Sequence, residues 1–221
     1  TLGDHGMAPL YRAIEISENL KKKGYHCPIV VHYDNLPSNV TVEELFDALR
    51  PGDIIAHIYQ TKEETIFLPD GSIHPAVLRA RERGVIMDDC HGRVHWSIEH
   101  LKQAVKDDFL PDIISSDSTP ATFHQSPAMW DLPFVMSKFL LLGMPLHKVV
   151  RAVTETPAHC LGLADRVGKI ALGYDADLTL CRMEEGTVHF EDSDGNHRTG
   201  ECQLHVAATI RSGEIVFQKN D

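Results

Sequence analysis

Four short apolar runs mark the first half of the chain, and each ends on a residue able to bind a metal or move a proton. They are Pro28-Ile29-Val30-Val31-His32, Asp53-Ile54-Ile55-Ala56-His57, Val85-Ile86-Met87-Asp88-Asp89-Cys90-His91 and Asp112-Ile113-Ile114-Ser115-Ser116-Asp117. Continuous β-branched runs of this kind are typical of parallel strands buried on both faces. Sequence of helical period lies between them. Leu10, Ala13, Ile14, Ile16 and Leu20 recur through a helix from Pro9 to Lys23 that Gly24 stops. Thr41, followed by Glu43 and Glu44, opens a second helix through Leu45, Phe46 and Leu49, which ends at Pro51-Gly52. Pro75 to Gly84 and Ser97 to Asp107 are a third and a fourth. Strands alternating with helices of this size predict βα units on a parallel sheet, an α/β fold.

After Asp117 the pattern changes. Asp131 and Pro133 open a helix through Met136, Phe139 and Leu140 that Gly143 closes. Pro145 starts another, with Leu146, Val149, Val150 and Val153 on one face and Pro157 beyond it. From Gly168 onward the period shortens to two, predicting strands over Ala176 to Cys181, Val188 to Glu191, Gln203 to Ile210 and Glu214 to Gln218. Asp194-Gly195 and Ser212-Gly213 supply turns between them. Two units are expected, a βα portion over residues 1–167 and a small β module over residues 168–221.

Composition narrows the function without naming it. With 221 residues and 43% hydrophobic content, the chain can bury a real core and hold one domain or slightly more. A net charge of −11 argues against a nucleic-acid surface, which needs clustered Lys and Arg. The one basic run, Lys21-Lys22-Lys23, fits a solvated helix end. Five dispersed cysteines without a C-x-x-C pair make neither a zinc knuckle nor a disulfide framework, and they suit a cytoplasmic protein. No apolar run reaches the length of a membrane span. Thr1-Leu2-Gly3-Asp4 lacks the charged and apolar regions of a signal peptide and is expected to belong to the interior of a longer protein.

The strand ends carry the chemistry. In barrels of alternating strand and helix, catalytic residues sit at the C-terminal ends of the strands. His32 and His57 occupy equivalent ends one βα unit apart, and Asp117 follows two strands later. Imidazole and carboxylate together suit zinc. A single strand-end histidine is as readily a satisfied polar group, and Asp117 alone as readily an Asx-turn residue. Their joint placement favours a metal site, with Asp117 as ligand and general base. His91, in Asp89-Cys90-His91-Gly92, is either a donor to a substrate carbonyl or carboxylate, or a loop histidine beside a flexible glycine. Asp88, Asp89 and His95 are weaker candidates. Ser115, Ser116 and Ser118 lack a G-x-S-x-G context, so a serine nucleophile is not expected, and no Gly-rich phosphate loop is present.

These residues resemble the amidohydrolase superfamily, and within it the dihydroorotase-like amidohydrolase/deacetylase metallohydrolases. The most specific stretches are Gly52 to His57, Pro111 to Asp117, Met136-Ser137-Lys138-Phe139-Leu140 with Leu142-Gly143-Met144, and Thr154-Glu155-Thr156-Pro157-Ala158. Gly168-Lys169-Ile170 and Gly173 to Leu178 look like the entry to that family's small β-sandwich. The resemblance implies a (β/α)8 TIM-type barrel with a divalent, usually two-zinc, centre. An H-x-H pair on the first strand and a carboxylated lysine on the fourth supply part of that centre. His32, His57 and Asp117 match its remaining histidines and aspartate, and His91 matches a histidine-glycine associated with the substrate pocket.

This sequence holds no H-x-H and no lysine ending an apolar strand before residue 28. It is therefore expected to be the C-terminal half of the barrel plus the β-sandwich module, with little activity and weak metal binding of its own. Gln60 and Thr61 stand where the family often has Asn-Gly, and His95 stands where a serine usually follows the pocket histidine.

The implied activity is hydrolysis of a small amide or ester by a metal-activated hydroxide, with a small acylated molecule as substrate and a homo-oligomer as an expected assembly. Two alternatives stay open: a non-catalytic amidohydrolase-like assembly protein, and a cyclic-amide hydrolase or lyase on the same scaffold.

Overall fold

The computed structural model describes residues 5–62, 64–124 and 128–219, so the expectation for residues 1–4 lies outside them. Helix α1 (Ala8–Lys21) leads into strand β1 (Val30–His32), α2 (Val42–Ala48), β2 (Ile54–Ala56), α3 (Pro75–Glu82), β3 (Ile86–Asp88) and α4 (Ile98–Lys106). Three helices follow, α5 (Leu132–Leu141), α6 (Leu146–Val153) and α7 (Glu155–Cys160). The chain closes with β4 (Leu178–Glu191), β5 (His197–Arg211) and β6 (Glu214–Gln218).

β1, β2 and β3 form a parallel sheet in that order, with Val31 opposite Ile55 and Ile55 opposite Met87. β1 is the edge strand, and its Val30 is 63% exposed. The predicted fourth strand, residues 112–117, runs parallel beside β3 but is paired in bridge form at Asp88 and Ile113. Asp89 N donates to Ile113 O at 3.0 Å and His91 N to Ser115 O at 2.8 Å, so the ladder on the β3 side is made. On its other side Ile114 N donates to Ala152 O of α6, where a further strand would otherwise pair.

The chain reverses its backbone sign at or next to the end of three of the four apolar runs. His57, Cys90 and Asp117 hold φ of 66°, 43° and 47°. A non-glycine residue there costs about 1–2 kcal/mol and persists only where its surroundings enforce it.

The core lies between this sheet and its helices. Leu45 and Phe46 of α2, Val77 and Ala80 of α3, and Leu101 and Ala104 of α4 are buried with Ile55 and Met87 in one cluster. Thr41 caps α2 by accepting from Glu44 N, and Asp131 caps α5 by accepting from Phe134 N at 2.8 Å. The buried Asp53 carboxylate accepts from Ile29 N, Arg50 N and Arg50 Nε. Arg50 also reaches Glu18 and Ser17, fastening α1 to the start of β1 and β2.

In the C-terminal part, β4, β5 and β6 form one antiparallel sheet. The strands predicted separately over 176–181 and 188–191 are parts of one 14-residue strand, β4. Register shifts between Leu180 and Cys181 and between Glu185 and Val188 absorb the polar, glycine-containing stretch that resembles a break in the sequence. This antiparallel sheet lies against α5, where Ser137 Oγ accepts from Leu204 N of β5 at 2.9 Å. A second antiparallel sheet facing this one, as a sandwich requires, is not among the described residues.

Candidate metal centre

Parallel pairing carries the ends of β1, β2 and β3 to one rim. His32 is the last residue of β1 and His57 the first after β2, and their rings lie 4.4 Å apart edge to face. His57 Nε2 is 3.0 Å from His32 Nδ1, and His57 Nδ1 is 2.7 Å from Cys90 O. The ring of His95, from the loop after β3, lies 4.3 Å from the His57 ring, tilted by 39°. Its Nε2 is 3.1 Å from Asp34 Oδ2, and His32 Nε2 is 3.7 Å from the same oxygen. Two donor sets result: His32, Asp34 and His95, and His57, His95 and Asp117, each with ligand atoms within 4.8 Å of one another.

The third strand-end residue, Asp117, is exposed and leans over Gly92. A Cβ on Gly92 would come within 2.8 Å of Asp117 Oδ2, and Gly92 itself holds a φ of +55°. Glycine at that position therefore both permits the turn after β3 and leaves room for the carboxylate. The expected trio of His32, His57 and Asp117 is thus brought to one place, although Asp117 joins it through His57 and His95 rather than through His32.

Electrostatics keep the cluster in ligand form. Burial, then the neighbouring His95 and His32, pushes His57 down to about 4. Burial and His95 also lower His32. Burial alone would raise Asp34, but the hydrogen bond and charge of His95, with help from Lys62, hold its carboxyl below the usual range. Asp34 Oδ1 and His95 Nδ1 are buried without a hydrogen-bond partner. Neutral imidazoles, an ionised carboxylate and unpartnered buried lone pairs fit a divalent cation.

His91 lies elsewhere. It is 1% exposed, packs 4.5 Å from the Trp96 ring, and its Nε2 is 2.9 Å from Lys138 Nζ. Its Nδ1 is 3.3 Å from Asp89 Oδ2 but out of line for a hydrogen bond. Lys138, also 1% exposed, donates to Glu191 O at 2.8 Å and to Ala128 O, and sits over the Trp96 ring. Burial pushes Lys138 down to about 7, against the pull of Asp89, and burial also drives Asp89 well above the carboxylate range. Burial and Lys138 hold His91 neutral. Asp88, the end of β3, is raised to about 6 by burial, although Cys90 N and Ser115 Oγ donate to it.

Asp34 and Lys138 carry no strand-end signal. A lysine between Ser137 and Phe139 in an apolar helix is the one cue that marks the second of them. The two departures at the end of β2 are structural here. Gln60 is buried with its Nε2 on Glu64 O, and Thr61 Oγ1 bonds Asp194 in the β4–β5 turn.

The profile of the Amidohydrolase family matches residues 32–216, and the chain belongs to that family. It is 26% identical over 215 residues to a deacetylase of Enterococcus faecalis, covering 97% of this chain and 56% of that one. A deacetylase of Brucella anthropi is 27% identical over 194 residues, covering 88% and 46%. The structure is similar to a crystal structure of an adenine deaminase, with a TM-score of 0.89 at 25% identity over 98% of this chain and 57% of that one. It is also similar to a dihydroorotase, with a TM-score of 0.81 at 27% identity over 96% and 56%. The chain spans about half the length of the curated relatives it matches. Among the described residues no helix is long and apolar enough to cross a membrane.

Proposed function

We propose that this chain carries part of the active centre of a metal-dependent hydrolase acting on a small acylated amide or ester, of the deacetylase type. The observation that carries the proposal is the pair of donor sets sharing His95, with His32 and His57 held neutral beside them. A divalent ion, zinc by the nature of the donors, would supply water activation and polarisation of the acyl carbonyl. His32 and His57 would hold it, and Asp117 would both hold it and move the proton. Asp117 suits that role because it stands exposed at the rim, beside a glycine that leaves room for its carboxylate. It takes a proton from the attacking water and delivers it to the leaving nitrogen or oxygen. Two ions, a barrel half with its own small β module, and a homo-oligomer belong to the same proposal.

A substrate contact by His91 requires its cover to move, since Trp96 and Lys138 close the ring off in the folded chain. The placement supports a positioning role in which His91 ties the turn after β3 to α5.

The test is metal analysis together with hydrolysis of N-acyl amino acids and O-acyl hydroxy acids by the protein carrying this chain. Bound zinc and acyl hydrolysis that Asp117→Asn removes are the expected results. Metal-free, inactive protein, or full activity in Asp117→Asn, overturns the proposal. Similarity to a dihydroorotase supports a second reading, a cyclic-amide hydrolase, and ring opening of cyclic amides in preference to acyl hydrolysis would favour it.

A further inference from the structure

His95 and Asp34 fall outside the strand-end trio, yet they stand between its members. We propose that His95 is an additional metal ligand of this chain, with Asp34 as the carboxylate that orients it and completes the same donor set. The inference rests on the reading of this cluster as a metal centre, and it assigns roles to two residues to which that reading gives none.

Three observations carry it. First, His95 is the residue common to both donor sets, with His32 and Asp34 on one side and His57 and Asp117 on the other. Its ring lies 5.1 Å from that of His32 and 4.3 Å from that of His57. Second, His95 is 8% exposed and uses only one ring nitrogen. Nε2 meets Asp34 Oδ2, while Nδ1 is buried without a partner, as is Asp34 Oδ1. A histidine serving packing alone would satisfy both nitrogens, since a buried unpaired polar atom costs about 1–3 kcal/mol. Third, the pairing has the form of a carboxylate-oriented imidazole. A carboxylate on one ring nitrogen fixes the tautomer and makes the other nitrogen the better ligand.

The chemistry of the donors selects the ion. Two or three imidazole nitrogens with one carboxylate favour zinc or cobalt, whereas calcium and magnesium want oxygen throughout. The loop after β3 would therefore contribute a ligand of its own, His95, beside those from the ends of β1 and β2.

The experiment loads the protein carrying this chain with Co2+, whose visible bands report the number and kind of ligands, and measures affinity by chelator competition. His95→Ala and His95→Gln are expected to weaken cobalt binding by at least about tenfold and to change the visible spectrum. Asp34→Asn is expected to weaken binding by about tenfold. Circular dichroism and His189→Ala, a surface histidine, serve as folding and composition controls. Wild-type affinity and spectrum in both His95 variants overturn the inference. If His32→Ala, His57→Ala and Asp117→Asn lose cobalt while the His95 variants keep it, His95 is no ligand and the metal centre stands. If the unaltered protein carrying this chain binds no cobalt, or none of the six substitutions changes binding, the metal reading and this inference fall together.

Discussion

His57 and His32 meet through Nε2 and Nδ1 at 3.0 Å, while His57 Nδ1 faces the carbonyl oxygen of Cys90 at 2.7 Å. A carbonyl can only accept, so Nδ1 carries the proton of neutral His57 and Nε2 presents its lone pair to the cluster. The backbone after β3 thereby sets the tautomer of a residue after β2. His57→Ala and His32→Ala are each expected to lower zinc affinity by more than about tenfold, the lower bound for losing even an outer partner of a metal site. Chelator competition measures it, and affinity within twofold of the parent chain would remove either histidine from the site.

Gly92→Ala is expected to damage function more than stability. The added Cβ falls 2.8 Å from Asp117 Oδ2 in a residue held at a φ of +55°. The left-handed backbone costs about 1–2 kcal/mol, and the carboxylate must leave its place. Thermal unfolding should shift by a few degrees while acyl hydrolysis falls by about a hundredfold, the lower end of the range for loss of a positioned acid–base group. Parental hydrolysis rates would show that the position of Asp117 over Gly92 has no catalytic meaning.

Lys138→Met keeps the apolar stem of the side chain and removes its donors. Glu191 O, Ala128 O and His91 Nε2 then lose their partner inside a closed pocket. A buried acceptor left without its donor costs about 1–3 kcal/mol. Denaturant unfolding should report a loss of that order, whereas a change under 1 kcal/mol would mean that the Nζ contacts are dispensable.

Asp88 gives the chain a defined pH response. Its folded value of about 6 lies above the ordinary carboxylate value, chiefly through burial. In that case the folded form holds its proton more tightly than the unfolded chain. The Asp88 contribution to stability is complete below about pH 4 and is lost as pH rises through about 6. Asp88→Asn, which does not ionise, should therefore gain on the parent between pH 4 and 6.5 by up to about 3 kcal/mol. A stability difference that stays flat across that range would refute the raised value.

Much of the parallel sheet is legible in the sequence because its strands are short, β-branched and separated by helices with clear starts and stops. Their exact ends are not. The positive φ at His57, Cys90 and Asp117 depends on neighbours from other strands, which no local propensity encodes. His32, His57 and Asp117 are found from their equivalent places after apolar runs. His91 shares such a place, but its burial comes from Lys138, 47 residues further on. Asp34 lies in a loop where an aspartate usually faces water, and only the return of residues 92–97 makes it a partner of His95. In the tail, alternation marks the strands, whereas the bulges that join two of them depend on what β5 offers opposite.

Neighbouring residues of α5 reach both long strands of the tail. Ser137 accepts from Leu204 N of β5, while Lys138 donates to Glu191 O of β4 and meets His91 beside the rim. The small sheet and the turn after β3 therefore share one rivet, and a fluctuation that frees the hairpin must also release His91. Amide protons at Leu204 and His91, though far apart in the chain, should exchange with solvent through a single opening event of one free energy. In that sense the sheet farthest from the histidine cluster governs how long the turn after β3 keeps its place.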